Sequence, residues 1–318
     1  MTTITHRTIE TNGISMHIAE AGAGPLVLLL HGFPELWYSW RHQLPALAGA
    51  GYHAVAPDVR GYGRTDAPEP IEAYTMLDHV ADAIGVLDAL GAETAVVVGH
   101  DWGAPMAWHC ALLHPERFRA VVALSVPYLQ RAQAPPTQIF RQIFQERFFY
   151  ILYFQEPGLA EAELEADVGR TMRMIMFSWS KDAPPGAAPE KPKGAGLLDG
   201  MAEPERLPSW ITEEELAYYV REFQRTGFRG GLNRYRSMDR DWEQLPQLAG
   251  AQVQQPALFI AGERDGVIAF TRLDAMKANV PNLRDAIILP GCGHWTQQER
   301  PAEVNAALVK FLKELDCA

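Results

Sequence analysis

Between residues 95 and 112 the chain runs from a β-branched apolar stretch, Ala95-Val96-Val97-Val98, through Gly99-His100-Asp101-Trp102-Gly103. It then enters a segment in which Met106, Ala107, Cys110, Ala111 and Leu112 recur at helical spacing. The first stretch reads as a strand buried on both faces of a parallel sheet. Glycines on either side of Asp101 let strand and helix meet through a sharp turn. Such a turn aims its central side chain outward at the carboxyl end of the sheet, where open α/β folds bind ligands. The usual form of this motif, Gly-x-Ser-x-Gly, presents a serine; here it presents a carboxylate. With an ordinary pKa of about 3.9, Asp101 is ionised near neutral pH and needs no base before it attacks. Its natural target is a polarised saturated carbon, and attack leaves an ester that water must then cleave. Taken alone, Asp101 reads equally well as a helix N-cap.

The rest of the chain supplies the context. Residues 7–20 alternate around Asn12-Gly13, a hairpin signal. Residues 25–30 form an apolar strand ending in His31-Gly32-Phe33-Pro34-Glu35, followed by a predicted helix over 39–48. A strand at 52–58 precedes the Gly-rich loop 60–64, and Leu77, Val80, Ile84, Leu87 and Leu90 mark a helix closed by Gly91. After the segment around Asp101 comes a strand at 118–124. Strands alternating with helices predict an α/β class fold: a mostly parallel central sheet with helices on both faces.

The rhythm breaks after Ser125-Val126-Pro127. Residues 127–241 show helical stretches only, at 137–152, 159–179, 213–226 and 232–238. A Pro- and Gly-rich segment, 181–200, is predicted to be a mobile loop. Glu161, Glu163 and Glu165 are expected to form a solvated helix face. We read this block as an inserted helical cap (lid) on a discontinuous core of residues 1–126 and 242–318. The alternation resumes with a strand at 257–262 ending in Glu263-Arg264-Asp265-Gly266, a helix at 273–280, and a strand at 285–289 ending in Pro290-Gly291-Cys292-Gly293-His294-Trp295. A terminal amphipathic helix covers 301–315.

Asp101, Asp265 and His294 thus each follow a separate predicted strand, in the order nucleophile, acid, histidine that the α/β-hydrolase fold uses. In that arrangement His294 acts as general base on a water, and Asp265 orients it and stabilises its protonated form. The oxyanion formed on the ester needs donors, and the backbone N–H groups of Phe33 and Trp102 are the candidates. Singly, Asp265 reads as a turn residue before Gly266 and His294 as a satisfied buried histidine. His31 and His100 are assigned that structural role. Composition narrows the partners. A formal net charge of −11 argues against nucleic acid or an anionic membrane, both of which call for a basic face. No apolar run reaches the ~18 residues that span a bilayer, and no signal peptide is evident. Three cysteines without metal or redox spacing fit a reducing cytoplasm.

The motifs His31-Gly32-Phe33-Pro34-Glu35, Gly99-His100-Asp101-Trp102-Gly103, Tyr150-Ile151-Leu152-Tyr153-Phe154-Gln155-Glu156-Pro157-Gly158 and Gly291-Cys292-Gly293-His294-Trp295-Thr296-Gln297 resemble those of the soluble epoxide hydrolases of the α/β-hydrolase superfamily. The likeness covers nearly the whole chain. It implies hydrolysis of an apolar epoxide to a vicinal diol, with small-molecule epoxide and water as partners and no cofactor or metal. It also implies two cap tyrosines that hold the epoxide oxygen: Tyr150, with Tyr153 as competitor one turn on, and Tyr235 in the Leu-Asn-x-Tyr-Arg segment. Opening a strained ether leaves charge on oxygen, which two phenols would stabilise and protonate. Phe33, Trp102, Phe154 and Trp295 are the expected aromatic lining of the pocket. Two other readings stand at this point: a haloalkane dehalogenase, which shares the Asp–His–acid logic, and a non-catalytic small-molecule receptor on the same scaffold. The oligomeric state, monomer or homodimer, is left open.

Overall fold

The computed structural model describes residues 3–184, 186–269 and 273–317. The amino-terminal hairpin pairs β1 (Thr5–Thr11) with β2 (Ile14–Ala21), antiparallel across Asn12 and Gly13, both at positive φ. Then come β3 (Leu26–Leu30), a 3-10 turn at Trp37–Trp40, α1 (Gln43–Gly49), β4 (His53–Pro57) and α2 (Met76–Ala89). Next follow β5 (Ala95–His100), α3 (Gly103–Leu113) and β6 (Phe118–Leu124).

Between β6 and the next sheet strand lie α4 (Pro136–Phe144), α5 (Tyr150–Tyr153), α6 (Leu159–Leu164), α7 (Val168–Ser178), α8 (Glu213–Thr226), α9 (Arg229–Arg236) and α10 (Met238–Gln244). The chain finishes with β7 (Ala257–Gly262), α11 (Gly266–Ala269), α12 (Leu273–Asn279), β8 (Leu283–Leu289), α13 (Thr296–Glu299) and α14 (Pro301–Asp316).

The eight strands form one sheet in the order β1-β2-β4-β3-β5-β6-β7-β8, parallel from β4 through β8. Alternate strand residues feed two cores. Val27, Leu29, Val96 and Val98 pack with Trp40, Leu44, Leu47 and Phe311 on one face. Leu28, Leu30, Val97 and Val121 pack with Val80, Val86 and Ala107 on the other. Burying each such Val or Leu contributes ~1.5–3 kcal/mol, which is why continuous apolar runs select the central strands. The register aligns Leu30 with Gly99, His100 with Leu124, Leu124 with Ile260 and Gly262 with Leu289. The residues that follow these strands therefore emerge along one edge.

Several helices differ from their sequence reading. The helix expected over 39–48 is a 3-10 turn followed by α1. The one expected over 137–152 stops at Phe144, where Gln145 takes φ 39, and restarts as α5 at Tyr150. In the gap Phe144 stacks on Phe149 with ring centroids 3.9 Å apart. The helix expected over 159–179 divides because the Asp167 carboxylate accepts the Arg170 N–H at 2.9 Å and caps a new helix, α7. Apolar periodicity runs across all three breaks, so the pattern alone reads as continuous.

The glutamates are not a bare solvated face. Glu161 pairs with Arg236 at 2.7 Å. Glu163 accepts the N–H groups of Leu197 and Leu198 and the Tyr153 hydroxyl. Glu165 accepts the Phe228 N–H. The segment 181–200, described apart from Pro185, carries no helix or sheet strand. It is fastened by Phe148 N–H to Lys191 O and Lys193 N–H to Glu146 O, both at 2.8 Å.

Candidate active site

Asp101 sits just past β5 with φ 49. That left-handed conformation costs a residue with a Cβ of order 1–2 kcal/mol and persists only where its surroundings enforce it. Here they do. A Cβ on Gly99 would strike the Gly103 carbonyl, and one on Gly103 would strike that of Leu30, so only glycine permits this approach of strand and helix. The Ala104 N–H donates to Asp101 O at 3.0 Å and starts α3.

The loop after β3 closes on the carboxylate. The Phe33 N–H donates to Asp101 Oδ1 at 2.8 Å, and the Trp102 N–H supports the same carboxylate. Burial outweighs these donors and the nearby charges of His294 and His100, so the Asp101 carboxyl lies above its ordinary pKa. Its side chain is still 14% exposed, so it reaches open space.

Asp265 follows β7 and is buried; the Val267 N–H donates to its Oδ1 at 3.0 Å. The same oxygen faces His294 Nδ1 at 3.1 Å. His294 follows β8, and its own N–H donates to Trp179 O at 2.8 Å, which pins the loop to the segment after α7. On the other side of the ring, Nε2 stands 3.8 Å from Asp101 Oδ2. Burial lowers the imidazole pKa, but the Asp265 carboxylate, by charge and hydrogen bond, and then the charges of Asp101 and Glu35, push it up to about 9. Asp265 is held below the usual carboxylate range: burial opposes this, and His294 overcomes it.

Tyr150 and Tyr235 come from α5 and α9, and their rings lie 5.9 Å apart. Tyr235 meets Trp102 at 5.1 Å, Phe33 at 5.5 Å and Phe154 at 5.0 Å. Burial, and then the charge of Asp101, push both phenols upward, so both stay protonated near the carboxylate. Tyr153 turns away: its hydroxyl donates to Glu163 at 2.9 Å.

Phe33, Trp102 and Phe154 therefore surround the same point as the two phenols. Trp295 stands apart from that group; it is fully buried, packs 4.8 Å from the His294 ring and spends its indole N–H on Met176 O. His31 accepts the Val59 N–H at Nε2. His100 lies behind His294, with Nδ1 2.6 Å from Glu35 and Nε2 2.8 Å from the His294 carbonyl.

Three further residues touch this site that the sequence reading gave no role, although Glu35 ends the His31–Glu35 motif. Glu35 also accepts from Gln297 and Gln298 at 3.1 Å and is driven down to about 2: burial resists, and the His100 charge dominates. Arg234 is buried with its guanidinium 4.9 Å from the Trp102 ring centroid. Ser125 Oγ lies 3.2 Å from His294 Nδ1. Each is a contact between distant segments, invisible to local pattern.

A profile of the alpha/beta hydrolase fold matches residues 25–301. Epoxide hydrolase A of Mycobacterium tuberculosis is 53% identical over 316 residues, covering 98% of this chain and 98% of its own. Among solved structures, epoxide hydrolase A from Mycobacterium thermoresistibile superposes with a TM-score of 0.94 at 52% identity over 98% of each chain. An epoxide hydrolase from an endophytic Streptomyces reaches 0.96 at 50% identity, covering 99% of this chain and 97% of its own.

Proposed function

The chain belongs to the epoxide hydrolases of the alpha/beta hydrolase fold, and we propose that it hydrolyses an apolar epoxide to a vicinal diol through a covalent ester on Asp101. The observation that carries this reading is a single juxtaposition. A carboxylate whose Oδ1 is held by the Phe33 N–H lies near two protonated phenols, Tyr150 from α5 and Tyr235 from α9, whose pKa values its charge raises. We take residues 127–241 as a helical cap over a core of 1–126 and 242–318, so that cap and core each supply half of the chemistry.

In the first half, Asp101 Oδ2 attacks a ring carbon. An Oδ2–C bond forms, the ring C–O bond breaks, and the electron pair leaves on the epoxide oxygen. Tyr150 and Tyr235 donate to that oxygen and one of them supplies its proton. Two donors preset in a buried site cost no reorganisation as the charge develops.

In the second half, His294 Nε2 takes a proton from water, and the water oxygen adds to Asp101 Cγ. The negative charge moves onto Oδ1, against the N–H groups of Phe33 and Trp102. Collapse expels the diol oxygen, which takes the proton back from His294, and the second water proton, left on the Asp101 carboxyl, returns to the tyrosine that gave up its own. Ester formation erases the Asp101 charge, one of those that hold the His294 proton. The imidazole pKa thus falls, and the ring sheds its proton and stands neutral, able to act as a base, at the step that needs one.

The three cysteines are free thiols, two of them buried, which supports a cytoplasmic setting. Among the described residues no helix is long and apolar enough to cross a membrane. The aromatic surroundings of Tyr235 favour an apolar substrate.

The test is intact-protein mass on folded His294→Gln after incubation with styrene oxide and, separately, with a bromoalkane. A gain equal to the whole epoxide, mapped to Asp101, is the expected result. An alkyl gain without bromine, and none from the epoxide, would instead mark dehalogenation. No adduct from either reagent, with inactive wild type, would favour a narrow substrate range or a receptor.

A further inference from the structure

Ser125 closes β6 with φ 71 and is wholly buried. Its N–H donates to Ile260 O at 3.0 Å, tying it to β7, the strand that delivers Asp265. Its Oγ lies 3.2 Å from His294 Nδ1, the nitrogen that Asp265 Oδ1 meets at 3.1 Å. Asp265 Oδ2 takes no hydrogen bond among the described residues. A left-handed residue with a Cβ is held at a cost, and a buried hydroxyl needs partners. Here the partners at hand are the acid and the base.

We infer that Ser125 is a positioning residue for the hydrolytic half of the reaction: its oxygen shares the Nδ1 proton with Asp265 and fixes the imidazole so that Nε2 faces the water and the Asp101 ester. The inference rests on the reading of His294 as general base. No proton leaves Ser125. Its hydroxyl hydrogen turns toward Asp265, and the proton of His294 stays on Nδ1, which leaves Nε2 bare when the ring is neutral. Ring opening needs none of this, because Asp101 attacks without a base. The two halves should therefore respond differently to loss of the hydroxyl.

The experiment is rapid-quench single turnover with styrene oxide on Ser125→Ala and Ser125→Gly. Both lack the hydroxyl, and glycine is at ease at φ 71, so it carries the test if the alanine variant folds poorly. Ester formation should stay within about twofold of wild type while ester hydrolysis slows about tenfold or more, the scale on which a displaced general base is felt. In steady state kcat and KM should then fall together with kcat/KM preserved. Proportional slowing of both halves, or wild-type hydrolysis in a folded variant, overturns the inference. His294→Gln is run alongside. If it traps no ester, the reading of His294 fails; if it traps ester and the Ser125 variants do not, only the role of Ser125 fails.

Discussion

His294 Nε2 stands 3.8 Å from Asp101 Oδ2, beyond hydrogen-bond reach. In a serine-centred site that gap would be a defect, because the base must take the nucleophile's proton. A carboxylate has no proton to give. The separation fits the proposed role of the imidazole as a base for water and not for Asp101. Asp101→Ala should lower diol formation by more than about a thousandfold while the protein stays folded, since no other group replaces the missing nucleophile. Diol assay with circular dichroism checks this; substantial residual turnover removes Asp101 from the role.

Tyr150→Phe and Tyr235→Phe should each slow ester formation by roughly 10–100-fold, the range expected for loss of one positioned donor. The double variant should nearly stop it. Tyr153→Phe should behave as wild type in ring opening, because its hydroxyl is engaged by Glu163. Pre-steady-state ester formation separates the three. Damage at Tyr153 with none at Tyr150 would shift the functional position by one helical turn.

His294 ties stability to alkaline pH. Its pKa lies at about 9 when folded, against 6.5 in the unfolded chain. The folded state then binds more protons between these values, so the contribution is complete below about 6.5 and is lost as pH rises through about 9. The loss is of order 3 kcal/mol by the usual conversion of pKa difference to free energy. Urea unfolding at pH 6.5 and 9.5 measures it. His294→Gln should flatten the difference; an unchanged slope would assign the effect to other groups.

Gly99→Ala should destabilise the fold by about 2–3 kcal/mol or more, at the upper end of overpacking costs, because the new methyl meets the Gly103 backbone and not a movable side chain. Denaturant melting gives the number. Loss of activity should accompany it, since the same contact sets the angle at which Asp101 leaves β5. An alanine variant of wild-type stability would show that the turn has room to relax.

Much of the architecture is written in local pattern. The runs at Leu26–Leu30, Ala95–His100 and Ala257–Gly262 are apolar without interruption because both faces of those strands are buried. That single fact makes the central strands readable. Asp101 and Asp265 can be named in advance because each follows such a run, and His294 because it follows a further predicted strand, β8, in the order nucleophile, acid, histidine. The helix boundaries at Gln145 and Asp167 resist reading: the apolar stripe continues across them, while a positive φ and one capping carboxylate do the breaking.

Sequence by itself determines which residue types stand at the ends of the strands, and hence that a carboxylate, an acid and an imidazole are available. Only the tertiary structure decides how they bear on one another. The register of β3, β5, β6, β7 and β8 sets Asp101, Ser125, Asp265 and His294 along one edge. Burial lifts the Asp101 carboxyl, while the charge and hydrogen bond of His294 overcome burial and hold Asp265 down. The Glu163 carboxylate decides that Tyr153 turns away while Tyr150 faces the site. The physical reason is that strand propensity and apolar period act over a few residues. Distances of 3–4 Å between residues more than a hundred positions apart are set by how whole layers pack, and no local pattern encodes them.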